Sequence, residues 1–268
     1  MKSYKQTFTE LARQNRPALI PFFVIGDPDF DTSLEIVKTA IDAGADILEL
    51  GIAFSDSIAD GPTIQKADIR AMRSGMTVAK ACRFIRQVKD YRDIPIGLLM
   101  YYNLIYQYGI EKFFADFHKA GVNSILVADL SIDDAGEIEG PAKAAGLDTV
   151  FMVTPITAPE RMKLIASKTT GFIYTVSVLG VTGSRNELSD TVEGLVARLK
   201  KLTDVPICVG FGVSKPEHAA AIAAAGADGV IIGSKVVSLI EANLDNKQKM
   251  LAEITTFLAE VKTAISPA

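Results

Sequence analysis

Cysteine, histidine and clustered charge are what this chain of 268 residues has least of, and each scarcity excludes something. The two cysteines, Cys82 and Cys208, stand far apart in apolar surroundings. No disulfide framework can be drawn from them, and a reduced compartment is expected. The two histidines, His118 and His218, fall on helical segments, and no group of His, Cys and carboxylate residues has metal-ligand spacing. No metal site is therefore expected, and both histidines read as surface or helix-packing residues. With 28 basic against 32 acidic residues the net charge is −4, and neither sign forms long runs. Nucleic acid and anionic membranes are excluded as expected partners. No stretch approaches the roughly 18 to 20 apolar residues that span a bilayer. The opening MKSYKQTFTELARQNRP has helical spacing without a signal peptide's apolar core, so a cytoplasmic protein is expected. No P-loop is present, and no G-x-G-x-x-G follows a strand, which leaves nucleotide binding without support.

What is there is a repeat. DAGADILEL (Asp42–Leu50), KAGVNSILV (Lys119–Val127), AAGLDTVFM (Ala144–Met152) and AAGADGVII (Ala224–Ile232) share one grammar. Each ends a helix at Ala-Gly, where glycine can take the left-handed cap, then makes a short polar step into an apolar run suited to a buried strand. Hydrophobic patterning supplies the rest. Eight strands are predicted near Ala18–Val24, Ile47–Gly51, Ile96–Met100, Ser124–Ala128, Thr149–Val153, Phe172–Val176, Pro206–Gly210 and Gly229–Gly233. Helices alternate with them, among them 31–43, 109–120, 191–202 and 215–225. Eight parallel strands with helices between them predict an α/β fold, a single (β/α)8 TIM barrel over residues 1–268 rather than a doubly wound open sheet. Extra helices are expected before the first strand and at the end, the last over 247–265. There is no linker and no second domain.

The second strand holds an anomaly. Within DILELGIAFSDSIADGP (Asp46–Pro62), Glu49 interrupts an apolar run, and an unpaired carboxylate out of water costs several kcal/mol. Alternation puts Ile47, Glu49 and Gly51 on one face and Leu48 and Leu50 on the other. The leucines suit the helix layer, so Glu49 is expected inside, near the carboxyl end of the strand, where barrel enzymes keep their chemistry. A buried salt bridge is the alternative, but none of the eight strands contains Lys or Arg. Asp60 is less distinctive, since Asp-Gly-Pro before a helix also reads as a turn or N-cap. Asp56 also fits an ordinary loop.

Glycines mark where a phosphate fits. The seventh strand ends in GFGVS (Gly210–Ser214), the eighth in IIGS (Ile231–Ser234), and GVTGSR (Gly180–Arg185) follows the sixth. Barrels commonly hold phosphate with the last two of these loops and a helix amino end. Lys235, the nearest Schiff-base candidate, is expected to face away. Carboxylate acid/base chemistry on a phosphorylated small molecule, without metal or covalent intermediate, is what remains.

These segments resemble the α chain of tryptophan synthase, the indole-3-glycerol-phosphate lyase family. The likeness runs over nearly the whole chain: PFFVIGDPD, LELGIAFSDSIADGPTIQ, GLLMYYN (Gly97–Asn103), LVADL (Leu126–Leu130), GVTGSR, GFGVSKPEH and GADGVIIGS. It implies retro-aldol cleavage of indole-3-glycerol phosphate to indole and glyceraldehyde 3-phosphate, with Glu49 as general acid/base and Asp60 stabilising the protonated indole ring. By the same resemblance Phe22, Leu99, Tyr101, Leu126, Ala128 and Tyr174 line the indole pocket, with Thr182 on a closing loop. Gly183, Gly212, Gly233 and Ser234 hold the phosphate. The loop from about 179 to 189 suits a lid. The resemblance implies no cofactor in this chain, pyridoxal phosphate being expected only in a partner β chain, and an α2β2 heterotetramer.

Where that family usually has proline this chain has Ala53, Ser57 and Ser131, in loops that face the β chain in the family. Each loss loosens its loop by about 0.4 to 1 kcal/mol, so altered activation by a β chain is expected. A free-standing lyase, and a catalytically silent sugar-phosphate-binding barrel acting through a partner, stand as alternatives.

Overall fold

The computed structural model describes residues 1–176, 185–210 and 212–267, the side chains of 185–191 excepted. In chain order its elements are α1 (Tyr4–Arg13), β1 (Ala18–Val24), α2 (Phe30–Asp42), β2 (Leu48–Gly51), α3 (Pro62–Arg73), α4 (Val78–Tyr91) and β3 (Ile96–Met100). Then come α5 (Tyr102–Tyr108), α6 (Ile110–Ala120), β4 (Ser124–Val127), α7 (Gly136–Ala145), β5 (Asp148–Thr149), β6 (Phe151–Val153) and α8 (Pro159–Lys168). The chain closes with β7 (Ile173–Val176), α9 (Arg185–Lys200), β8 (Ile207–Gly210), α10 (Pro216–Ala224), β9 (Gly229–Ile232), α11 (Ser234–Ala242) and α12 (Lys247–Ala264).

The nine strand segments form one parallel sheet in the order β5-β4-β3-β2-β1-β9-β8-β7-β6. Its two ends, β5 and β6, are halves of one extended stretch parted by Val150 alone, so the sheet curls into the predicted barrel. The fifth predicted strand is thus broken, and the Val150 N–H donates to the Ile125 carbonyl across the break at 3.0 Å. The four repeat glycines, Gly44, Gly121, Gly146 and Gly226, all have positive φ, as the Ala-Gly grammar requires. Helix α9 begins at Arg185, which overturns the expectation of loop as far as Ser189. The remainder of that lid, with Thr182 and Gly183, lies outside the described residues.

Strand residues sort by parity. Leu19, Phe23, Leu48, Leu50, Leu98 and Ile125 pack with the helices in the outer core. Ile20, Ile47, Leu126, Val150, Phe172 and Cys208 fill the barrel interior. Helix α1, started by a Ser3/Gln6 capping box, plugs the amino-terminal end of the barrel with Tyr4, Phe8 and Leu11. The Tyr4 ring meets Phe172 edge-on at 5.5 Å and its hydroxyl lies 2.8 Å from Ser124 Oγ. That end is closed, which leaves the carboxyl ends of the strands as the open one.

Asp46, just before β2, ties three remote segments together. Arg16 grips it with two hydrogen bonds of 2.8 and 2.9 Å, Lys262 Nζ from α12 reaches it at 2.6 Å, and the Leu19 N–H donates to it at 2.9 Å. Among the described residues no helix is long and apolar enough to cross a membrane.

Candidate active site

Register places the anomalous acid. Glu49 pairs with Phe22 of β1 and Gly97 of β3, so its side chain points into the barrel as alternation predicts. It is 4% exposed, and its Oε2 has no hydrogen-bond partner among the described residues. Burial, and secondarily the charge of Asp60, push its pKa up to about 8. The salt-bridge alternative is overturned, because no basic group among the described residues opposes that shift. An acid with a pKa in this range is poised both to give and to take a proton near neutrality.

Asp60 sits in the loop between β2 and α3, where its N–H closes a turn onto the Ser57 carbonyl at 3.0 Å. The N-cap of α3 is Gly61, with no side-chain cap. The Asp60 carboxylate instead accepts a 2.8 Å hydrogen bond from the Tyr101 hydroxyl, which itself accepts from the Ala59 N–H at 3.0 Å. Burial raises the pKa of Asp60 and the Tyr101 hydrogen bond opposes it. Gln65 Nε2 holds the same loop through the carbonyls of Ser57 and Asp60 at 3.3 and 3.0 Å.

Both acids face a cavity of about 1110 Å³ at the carboxyl ends of the strands. Phe22, Leu99, Ala128 and Tyr174 line it with apolar surface, and Gly212, Gly233 and Ser234 also line it, Gly233 next to Phe22. Two expected positions are placed differently. Leu126, paired with Leu99 in the sheet, lines a narrow interior cleft with Tyr4, Ile47 and Glu49 rather than this cavity. Tyr101 clamps the Asp60 loop rather than lining the cavity. Room for the Tyr174 ring depends on Gly210, where a Cβ would stand 2.5 Å from the tyrosine hydroxyl. Gly233 and Ser234 begin α11, whose first-turn N–H groups have no intrahelical acceptor and can receive an anion. Lys235 is on the rim, but its ammonium lies 5.8 Å over the Phe257 ring, away from the barrel axis as expected.

Met152, also on the wall, escaped the sequence reading although its alternation with Val150 marked it as inward. Asp68 was missed too, and no local signal announced it. It lies on α3 and is 5% exposed, with Oδ2 unpartnered. Burial first, then Asp60 and Asp27, push its pKa up to about 7 against the Ser57 hydroxyl and the Phe54 amide. A raised folded-state pKa makes ionisation costly, and that cost grows between about pH 4 and pH 7. Asp68→Asn is therefore expected to stabilise the protein by roughly 1–2 kcal/mol at pH 8 and by nothing at pH 4. Urea denaturation at both pH values checks this, and an equal effect at the two would sink it.

Comparison with known proteins agrees with this geometry. The family model described as tryptophan synthase alpha chain matches residues 8–266. The tryptophan synthase alpha chain of Methanothermobacter thermautotrophicus is 46% identical over 262 residues, covering 98% of this chain and 96% of that one. The crystal structure of tryptophan synthase subunit alpha from Legionella pneumophila superposes with a TM-score of 0.91 at 30% identity, covering 99% of this chain and 98% of that one. A chain of the tryptophan synthase complex from Pyrococcus furiosus superposes with a TM-score of 0.83 at 35% identity, over 92% and 98% of the respective chains. A parallel barrel with a partnerless acid on its second strand, matched to this family over nearly its full length, leads to one conclusion: the chain belongs to the tryptophan synthase α-chain family.

Proposed function

We propose that the chain cleaves indole-3-glycerol phosphate to indole and glyceraldehyde 3-phosphate. One observation carries the reading. Glu49, buried and unpaired with a pKa of about 8, shares a cavity with Asp60, whose carboxylate Tyr101 positions. Protonated Glu49 delivers its proton to indole C3, and the ring becomes an indolenine cation whose N–H is met by the Asp60 carboxylate. Glu49, now ionised, takes the proton of the adjacent glycerol hydroxyl. That carbon becomes the aldehyde, the carbon–carbon bond breaks, and its electron pair returns to the ring as indole. The protonated ring is the electron sink, so the step asks for no lysine, metal or cofactor in this chain. Phe22, Leu99, Ala128 and Tyr174 provide an apolar slot for the bicyclic ring, and Gly212, Gly233 and Ser234 a cradle for phosphate.

A tryptophan synthase β chain, itself holding pyridoxal phosphate, is the proposed partner in an α2β2 assembly in the cytoplasm. Ile58, Tyr106 and Ile156 are 83%, 62% and 91% exposed, and all follow carboxyl ends of strands, around the cavity mouth. Large apolar side chains so exposed suit a protein contact. The three proline losses do not all face outward. Ser57 is buried, Ala53 packs beside Phe22 and Val24, and only Ser131 is exposed, its hydroxyl donating to Asp134 at 2.7 Å.

Incubating the purified chain with indole-3-glycerol phosphate should release indole, faster when a β chain is added. Asp60→Asn should lower kcat by about 10²-fold or more, the usual worth of a group aimed at developing charge. Full activity in that variant would remove Asp60 from the mechanism, and equal rates with and without the β chain would favour a free-standing lyase.

A further inference from the structure

The rim of the cavity carries an imidazole that the proposed chemistry does not use. His218 is the third residue of α10, and its ring reaches back over the loop that leaves β8. Its Nδ1 lies 2.9 Å from the Gly212 carbonyl oxygen, with the Ser214 N–H and hydroxyl both at 3.4 Å. A carbonyl only accepts, so the 2.9 Å contact puts the hydrogen on Nδ1, in preference to the longer 3.4 Å approach of the Ser214 N–H, which would need Nδ1 as an acceptor. Holding that oxygen fixes the planar peptide joining Gly212 to Val213, and with it the ψ angle of Gly212. Gly212 has φ +77°, a left-handed conformation that glycine can also leave at little cost. Nothing in a strand ladder or helix holds Gly212 there, whereas the next residue, Val213, is anchored in the outer core. Gly212 and His218 both line the cavity, on the rim shared with Gly233 and Ser234 at the start of α11.

We propose that His218 is a positioning residue for the phosphate cradle, its Nδ1–H holding the Gly212 loop in the shape that receives the substrate's phosphate. This inference rests on the reading of the site given above. It separates two roles an imidazole could play here, bracing the loop through Nδ1 or contacting the anion through Nε2. Side-chain amides distinguish them, because an Asn nitrogen falls near the place of Nδ1 and a Gln nitrogen near that of Nε2.

The test measures kcat and KM for indole-3-glycerol phosphate, together with the Kd of inorganic phosphate, for the wild type and for His218→Ala, His218→Asn and His218→Gln. In His218→Ala, KM and the phosphate Kd should each rise about threefold to tenfold, the worth of one hydrogen bond, with kcat changed less than twofold. His218→Asn should stay within about threefold of wild type, and His218→Gln should behave like the alanine variant. The Asn and Gln pair decides the matter even if the alanine variant folds poorly. Unchanged KM and phosphate Kd in His218→Ala, rescue by Gln rather than Asn, or a fall in kcat with KM unaltered would each overturn the brace. A wild-type chain that binds phosphate yet releases no indole would overturn the proposed reaction and leave the brace standing.

Discussion

Glu49→Gln is expected to lower indole release by about 10³-fold or more while making the protein harder to unfold. Glutamine keeps the size of the side chain but can neither deliver an acidic proton to indole C3 nor remove one from the glycerol hydroxyl. One positioned acid or base contributes typically 10²–10⁴-fold, and in the proposed reaction a single group serves both transfers. The stability gain has the same cause. Burial pushes the pKa of Glu49 in the folded chain up to about 8, above its unfolded value near 4.5. Below about pH 4.5 both states hold the proton and the group is neutral toward folding. As pH rises from there to about 8, the unfolded chain gives up a proton that the folded one keeps, and folding is progressively disfavoured. The advantage of the Gln variant should be absent near pH 4 and reach a few kcal/mol above pH 8. Urea titrations at pH 5 and 8, beside indole assays, examine both halves. Retained activity would dismiss Glu49 as the proton carrier, and a pH-independent stability difference would show that it ionises freely.

The second large effect lies at the other end of the barrel. Asp46→Ala should cost about 3–5 kcal/mol, because it strands two half-buried cations, Arg16 and Lys262, beside each other. Burial raises the pKa of Asp46, yet Arg16, Lys262 and the Leu19 amide together outweigh it and leave the pKa below its ordinary value. A lowered carboxylate pKa contributes stability above about pH 4 that fades as pH falls through the folded-state value. Lys262 carries the opposite sign. Burial exceeds its attraction to Asp46 and lowers its pKa, so keeping it charged costs stability at neutral pH. The cluster is therefore worth less than the damage done by breaking it. Replacing Arg16 and Lys262 by Met in the Asp46→Ala background should recover much of the loss. Denaturation midpoints for the single and triple variants measure this, and a loss below about 1 kcal/mol in Asp46→Ala would show that the cluster is not a structural tie.

Sequence reading and structure agree where the signal is local. Strand parity placed Ile47 and Glu49 inside and Leu48 and Leu50 outside, and the Ala-Gly steps marked four helix ends that all have positive φ. They part where an assignment depends on residues far apart in the chain. Leu126 has the parity of the cavity wall and pairs with Leu99, yet packs in the interior with Tyr4, Ile47 and Glu49, a difference that neither alternation nor strand pairing signals. Ser57, placed by resemblance in a loop that faces a β chain in the family, is buried within this chain. His218 read as a surface or helix-packing residue, and its contact with Gly212 was not legible because that loop's path follows from β8 and α10 together.

The amino-acid order alone determined a barrel of alternating strands and helices, with an acid turned into its core and no basic strand residue to neutralise it. Periods of two and of 3.6 residues, and the expense of a lone buried charge, act over a few neighbouring positions and can be read without coordinates. Only the folded chain decided that Tyr101 claims the Asp60 carboxylate, that Asp68 lies buried with an unpartnered oxygen, and that the His218 imidazole meets the Gly212 carbonyl at the cavity rim. Each of those depends on groups brought together by closure of the ring, and separation in sequence carries no information about distance in space.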